Sequence, residues 1–269
     1  MKYVYDHDLH IHSGISMCSG DPEQSAERIL QYAKDMGLKQ VCVTDHFWDE
    51  TVPCEDRGFY TEQGFERISK ILPLPQAEGI EFLFGAETDL NKDYILGVSK
   101  EVLEKLDFLV IPTTHLHMVK FAVGDENLLS TPQKRAEIWV KRLDYVLGLD
   151  LPFHKVGIAH LTCPLIAPNH NDYIATLNAI PDSELERLFS KCASLGVGIE
   201  LNRDDMDYKV SDEDTVLRIF KAAKKQGCKF YLGGDAHHPE TFNVTKKVFE
   251  HAIAALDLKE SDKFILKKG

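Results

Sequence analysis

The chain has 269 residues, 43% of them apolar and 28% charged, the make-up of an ordinary globular protein and not of a disordered or collagen-like one. Its net charge of −12 argues against a non-specific grip on a nucleic-acid backbone, which needs clustered positive charge. No apolar run approaches the ~18–20 residues of a membrane span. Met1–Asp8 carries charge and no apolar leader core, and the six cysteines form no C-x-x-C pair, so the expectation is a reduced, cytoplasmic chain.

In chain order, short apolar runs predict strands over Tyr3–Ile11, Gln40–Thr44, Glu81–Ala86, Phe108–Thr113, Lys155–Ile158, Val197–Leu201 and Lys229–Gly233. Between them fall helical patterns. The first spans Pro22–Met36, with Asp21 as N-cap, Pro22 at the first position and Gly37 as its stop. Others fit Thr61–Leu72, Thr131–Leu147, Asp182–Leu195 and Asp212–Gln226. Strands alternating with helices predict a parallel α/β architecture, either a seven-stranded (β/α) barrel or an open doubly wound sheet. No linker or internal repeat divides the chain, so one domain over 1–269 is expected.

The predicted strands end in imidazoles and carboxylates. The first ends in Asp8-Leu9-His10-Ile11-His12, where alternation puts His10 and His12 on one face. The next four end in Asp45-His46, Glu87, His115-Leu116-His117 and His160, and the seventh in Asp235-Ala236-His237. Strand C-termini are where (β/α) barrels carry their chemistry. Imidazole and carboxylate together are ligands for zinc, manganese or iron. His154, His170 and His251 read as surface or loop residues, and His7 falls on the strand face opposite His12.

These pieces, D-L-H-I-H (8–12), V-T-D-H (43–46), G-A-E (85–87), T-T-H (113–115), A-H (159–160) and G-G-D-A-H (233–237), resemble the PHP family, the polymerase and histidinol phosphatase domain, in the family's order. The resemblance implies a distorted seven-stranded α/β barrel, (β/α)7, with two or three divalent ions (Zn, Mn or Fe) at its rim. His10, His12, Glu87 and Asp235 would surround the first ion. Glu87 would bridge to a second, held also by His115 and His160. His46 and His237 would hold a third. The family's remaining histidine for that ion is Cys18 here, and a thiolate is a softer ligand that can take its place. His115 is preferred to His117 because it matches the motif.

Two clustered ions suit in-line displacement at phosphorus. There is no G-x-S-x-G, Walker A or G-x-G-x-x-G motif to compete. The implied activity is metal-dependent hydrolysis of a small phosphorylated metabolite, of the histidinol-phosphatase branch. Glu87, Asp235 and His237 would stand at the reacting centre, and Arg203 would contact the phosphate unless it pairs with Asp204 or Asp205. The alternatives are a phosphodiesterase or nucleotide phosphoesterase of the same family, or a metal-binding regulatory protein with weakened turnover.

Overall fold

The computed structural model describes residues 1–266, so the expected domain over 1–269 runs three residues beyond them. Seven strands lie side by side in chain order: β1 (His7–Ile11), β2 (Gln40–Val43), β3 (Glu81–Glu87), β4 (Phe108–Pro112), β5 (Val156–Ala159), β6 (Gly198–Asn202) and β7 (Lys229–Gly233). Each pairs in parallel with the next. The sheet curls into a nearly closed barrel, which decides between the two architectures.

The seam between β1 and β7 is not a regular ladder. It has one parallel bridge, Ile11–Ala236. The Asp235 amide donates to the His10 carbonyl (2.6 Å) and the His12 amide to that of Ala236 (3.0 Å). Below these, side chains of β1 replace backbone acceptors. The Leu232 amide donates to His7 Nε2 (3.1 Å) and the Gly234 amide to Asp8 Oδ1 (2.8 Å). This is the work of His7, off the site as expected. An added Cβ on Gly234 would fall on the Asp8 carboxylate, so the glycine makes that contact possible.

Leu9, Cys42, Leu83, Phe108, Val110, Ala159 and Tyr231 fill the barrel, and Phe264 and Leu266 of the tail pack into the same cluster. Gly157 leaves room for the Tyr231 ring. A larger core joins the outer face of the sheet to the helices. Among the described residues no helix is long and apolar enough to cross a membrane.

Several boundaries differ from the sequence reading. Residues 3–6 are not strand, because Tyr3 ties down to Leu258 and Phe230 instead of pairing with β2. The first helix begins at Ala26, capped by Ser25, whose Oγ accepts the Arg28 amide. Asp21 accepts the Glu23 amide to close a separate turn, which lets the buried Gln24 side chain bond the His12 and Ala236 carbonyls across the seam. The helix expected over Thr61–Leu72 breaks into short turns around Gly64, which is extended (ψ 176°). A side chain on Gly64 would collide with Glu50, whose carboxylate accepts the Phe65 and Glu66 amides. The helices Lys100–Lys105, His170–Ala179 and Phe242–Ala255 were not foreseen. His154 and His251 are exposed, and His170 opens its helix, 3.2 Å from Asp212.

Candidate metal centre

Glu87, the last residue of β3, is fully buried, and both its oxygens lack a hydrogen-bond partner. Imidazoles ring it. Oε2 lies 3.4 Å from His10 Nε2, 3.3 Å from His12 Nε2 and 2.9 Å from His46 Nδ1. Oε1 lies 3.5 Å from His160 Nε2 and 3.9 Å from His115 Nε2. Asp235 closes the ring, with Oδ1 3.1 Å from His12 Nε2 and Oδ2 3.4 Å from His160 Nε2. Side chains from five strand ends (β1, β2, β4, β5 and β7) therefore gather around the carboxylate that ends β3.

These distances test whether the residues fit a cation. Bonds of about 2.0–2.1 Å in a tetrahedral shell place the ligand atoms about 3.3 Å apart. His10 Nε2, His12 Nε2 and Glu87 Oε2 are 3.2, 3.3 and 3.4 Å from one another. They have the spacing of one face of such a shell, and Asp235 Oδ1 lies 3.1 Å from His12 Nε2 and 3.7 Å from His10 Nε2. Glu87, His115 and His160 form a second set, and His12, Cys18, His46 and His237 a third, each with ligand atoms within 4.8 Å of one another. A buried carboxylate among imidazole nitrogens is costly unless positive charge sits beside it, on a metal ion or on the rings themselves. The donor set fits divalent ions.

A second tier of carboxylates holds the rings. Glu200 on β6 is buried, with Oε1 2.6 Å from His10 Nδ1, and its Oε2 accepts the His160 amide (3.1 Å). Asp89 lies 3.2 Å from His115 Nδ1 and accepts the Tyr60 hydroxyl. Asp205 accepts the Thr162 amide and hydroxyl, with its other oxygen 3.8 Å from His160 Nδ1. Hydrogen-bonded partners such as Glu200 and Asp89 fix the tautomer and aim of a ligating imidazole, whereas Asp205 and His160 Nδ1 stay beyond hydrogen-bond reach. Sequence reasoning missed all three. The alternation of Glu200 with Asn202 on β6, and of Asp89 with Glu87 after β3, was the available signal.

Local backbone serves the same end. His160 (φ 59°) and Asp235 (φ 48°) are left-handed, costing non-glycine residues roughly 1–2 kcal/mol each. An added Cβ on Gly233 would fall on the Glu200 carboxylate. The Asp45 carboxylate accepts the Ser13 amide and hydroxyl, both at 2.6 Å, tying the loop after His12 to the end of β2.

Burial opposes the charged form of His10, but Glu200, Glu87 and Asp235 outweigh it and raise the imidazole to about 9. Burial likewise opposes His46, which Glu87 and Cys18 raise to about 10. Against the same opposition the imidazoles hold Glu87 and Asp235 well below the carboxylate range. A metal needs these nitrogens deprotonated. Adding zinc to chelator-stripped protein at pH 7 will therefore release protons, read by calorimetry in buffers of different ionisation enthalpy; zinc uptake with no release would contradict this charge state. The two raised histidines also stabilise the stripped fold fully below pH ~6.5. That contribution is lost as pH rises through about 9–10.

The centre opens to a cavity of about 440 Å³, walled by Phe59, Tyr60, Met118 and Leu165 and also lined by His117, Asp204 and His237. Among the described residues no lysine or arginine lines it. Arg203 does not reach it: its Nε donates to the Gly234 carbonyl (3.0 Å) and its Nη1 pairs with Asp204 (2.6 Å).

The sequence matches the PHP domain family over residues 8–204. The chain belongs to that family, and its enzyme class is phosphoesterase. It is 24% identical over 262 residues to a probable phosphatase of Thermoanaerobacter sp. (strain X514), covering 95% of this chain and 86% of the relative. A probable phosphatase of Caldicellulosiruptor bescii is 21% identical over 237 residues, covering 86% and 79%. Among solved structures, histidinol phosphate phosphatase from Lactococcus lactis, complexed with zinc, L-histidinol and phosphate, superposes with a TM-score of 0.59 at 18% identity, covering 92% of this chain and 93% of that one. That likeness is one of fold.

Proposed function

We propose that the protein hydrolyses small phosphate monoesters at a site of two or three divalent ions, the whole chain acting as one domain. The observation that carries this reading is the Glu87 carboxylate, buried without donors among five imidazoles. His10, His12, Glu87 and Asp235 would hold one ion, Glu87, His115 and His160 a second, and Cys18, His46 and His237 a third. Bound ions would supply charge neutralisation for the phosphate and activation of water.

The chain's own residues supply the rest. Glu200 and Asp89 orient His10 and His115 through their Nδ1 atoms. His237 Nδ1 is occupied by the Asp235 carbonyl (2.9 Å), which leaves its other nitrogen for an ion or a proton. Glu87, Asp235 and His237 all line the cavity and would face the reacting phosphate. Among the described residues the walls carry no lysine or arginine, so the phosphate's charge would be met at the cluster. The cavity volume lies in the range of small-molecule sites. The zinc-bound L. lactis enzyme and the probable phosphatases support the same reaction.

The test is turnover of p-nitrophenyl phosphate against bis-p-nitrophenyl phosphate with zinc or manganese. The monoester should be preferred, and chelation should abolish its hydrolysis. A preference for the diester would move the protein to phosphodiester chemistry, and activity that survives complete metal removal would refute the reading.

A further inference from the structure

We propose that the outermost of the three ion sites is a thiolate site selective for zinc, set beside two sites of nitrogen and oxygen ligands that accept harder ions. This rests on the metal-centre reading above and adds the identity of one ion.

The outer set is Cys18, His46 and His237, with His12 behind them. Cys18 Sγ lies 3.9 Å from His12 Nδ1, while Nε2 of the same ring faces Glu87 and Asp235. The imidazole therefore separates the sulfur from the inner ligands. Both inner sets are built on Glu87, and the first also has Asp235. Apart from Glu87 Oε2, which borders the set at His46 Nδ1 (2.9 Å), the sulfur is the outer donor that can carry negative charge.

The position of the sulfur is built by other residues. The fully buried Gln63 side chain donates to Ser16 Oγ (3.2 Å) and to the His46 carbonyl (2.8 Å), and accepts the Met17 amide (3.2 Å). Ser19 Oγ, on the other side, donates to the His237 carbonyl (2.5 Å). The loop carrying Cys18 is thus tied on one flank to the segment bearing His46 and on the other to the segment bearing His237. A bystander thiol needs no such frame. The unpartnered Glu87 Oε2, 2.9 Å from His46 Nδ1, independently marks the same place for a cation.

Thiolate with two imidazoles favours zinc over manganese, whereas imidazole with carboxylate suits both. The outer ion should be zinc under mixed supply, and the inner pair should follow availability.

The experiment loads chelator-stripped protein with cobalt(II) and reads the near-ultraviolet sulfur-to-metal charge-transfer band together with the bound metal. Wild type should show the band. Cys18→Ser should lose the band and one metal equivalent. Cys18→His should keep the equivalent, lose the band, and give up its preference for zinc when equimolar zinc and manganese compete. A measurement on the natural fold guards against a variant that fails to fold. Cys18 and Cys54 are the partly exposed thiols, the other four being buried. In a Cys54→Ser background, zinc should therefore protect Cys18 from alkylation. Full metal loading with no thiolate band and no protection would overturn this inference and leave the metal centre standing. Failure of the wild-type protein to bind any metal would overturn both.

Discussion

Replacing Glu87 by Gln will remove metal and activity together. The carboxylate is fully buried, faces imidazoles from four other strand ends, and has no donor of its own. An amide of the same shape brings two N–H donors to a place where ring nitrogens wait for a cation, and it carries no charge to share between two ions. Losing a partner behind a ligand costs about 10–100-fold in metal affinity or activity, and losing the shared ligand should cost more. Elemental analysis and p-nitrophenyl phosphate turnover on the same sample check this. A Gln variant that kept its full metal complement would show that Glu87 is not the bridge.

Gly233→Ala should damage the site from behind, without altering a ligand. The new Cβ would land on the Glu200 carboxylate and 2.9 Å from His10 Cβ. Glu200 would have to leave both His10 Nδ1 and the His160 amide. Metal affinity should fall about 10–100-fold, as for loss of an orienting partner. Stability should fall by roughly 1–3 kcal/mol through overpacking in the barrel. Competition with a chromophoric chelator reads the first, thermal melting the second. Glu200→Gln, which keeps the volume, should reproduce the affinity loss with less effect on melting. If Gly233→Ala binds metal like wild type, Glu200 does not set the aim of His10.

The ring of imidazoles and carboxylates around Glu87 was legible because strand periodicity and motif order both point to it: His10 and His12 share a face by alternation alone. The orienting carboxylates were less legible. Asp89 and Asp205 sit among polar and charged neighbours that look solvated in one dimension, Glu200 is a lone carboxylate between Ile199 and Leu201, and only curling of the sheet brings β6 behind β1. For Arg203 the sequence left two readings open, a phosphate contact or a pair with Asp204 or Asp205, and its bonds to Gly234 and Asp204 follow the second. The helix Phe242–Ala255 was missed although Phe242, Thr245, Phe249 and Ile253 bury one face at helical spacing. The break at Gly64 depends on Glu50, a contact no local pattern announces.

The seam between β1 and β7 has one more consequence. It is where the ladder is weakest, and His10 and His12 stand on one bank with Asp235 on the other. An ion shared across it would clasp the first strand to the last, fastening positions near opposite ends of the chain. Ions that bind only the folded form at a thousandfold excess over Kd add about 4 kcal/mol. How long a copy of this protein survives heat or proteases would then depend on metal supply, and starvation for metal would unfasten the barrel itself.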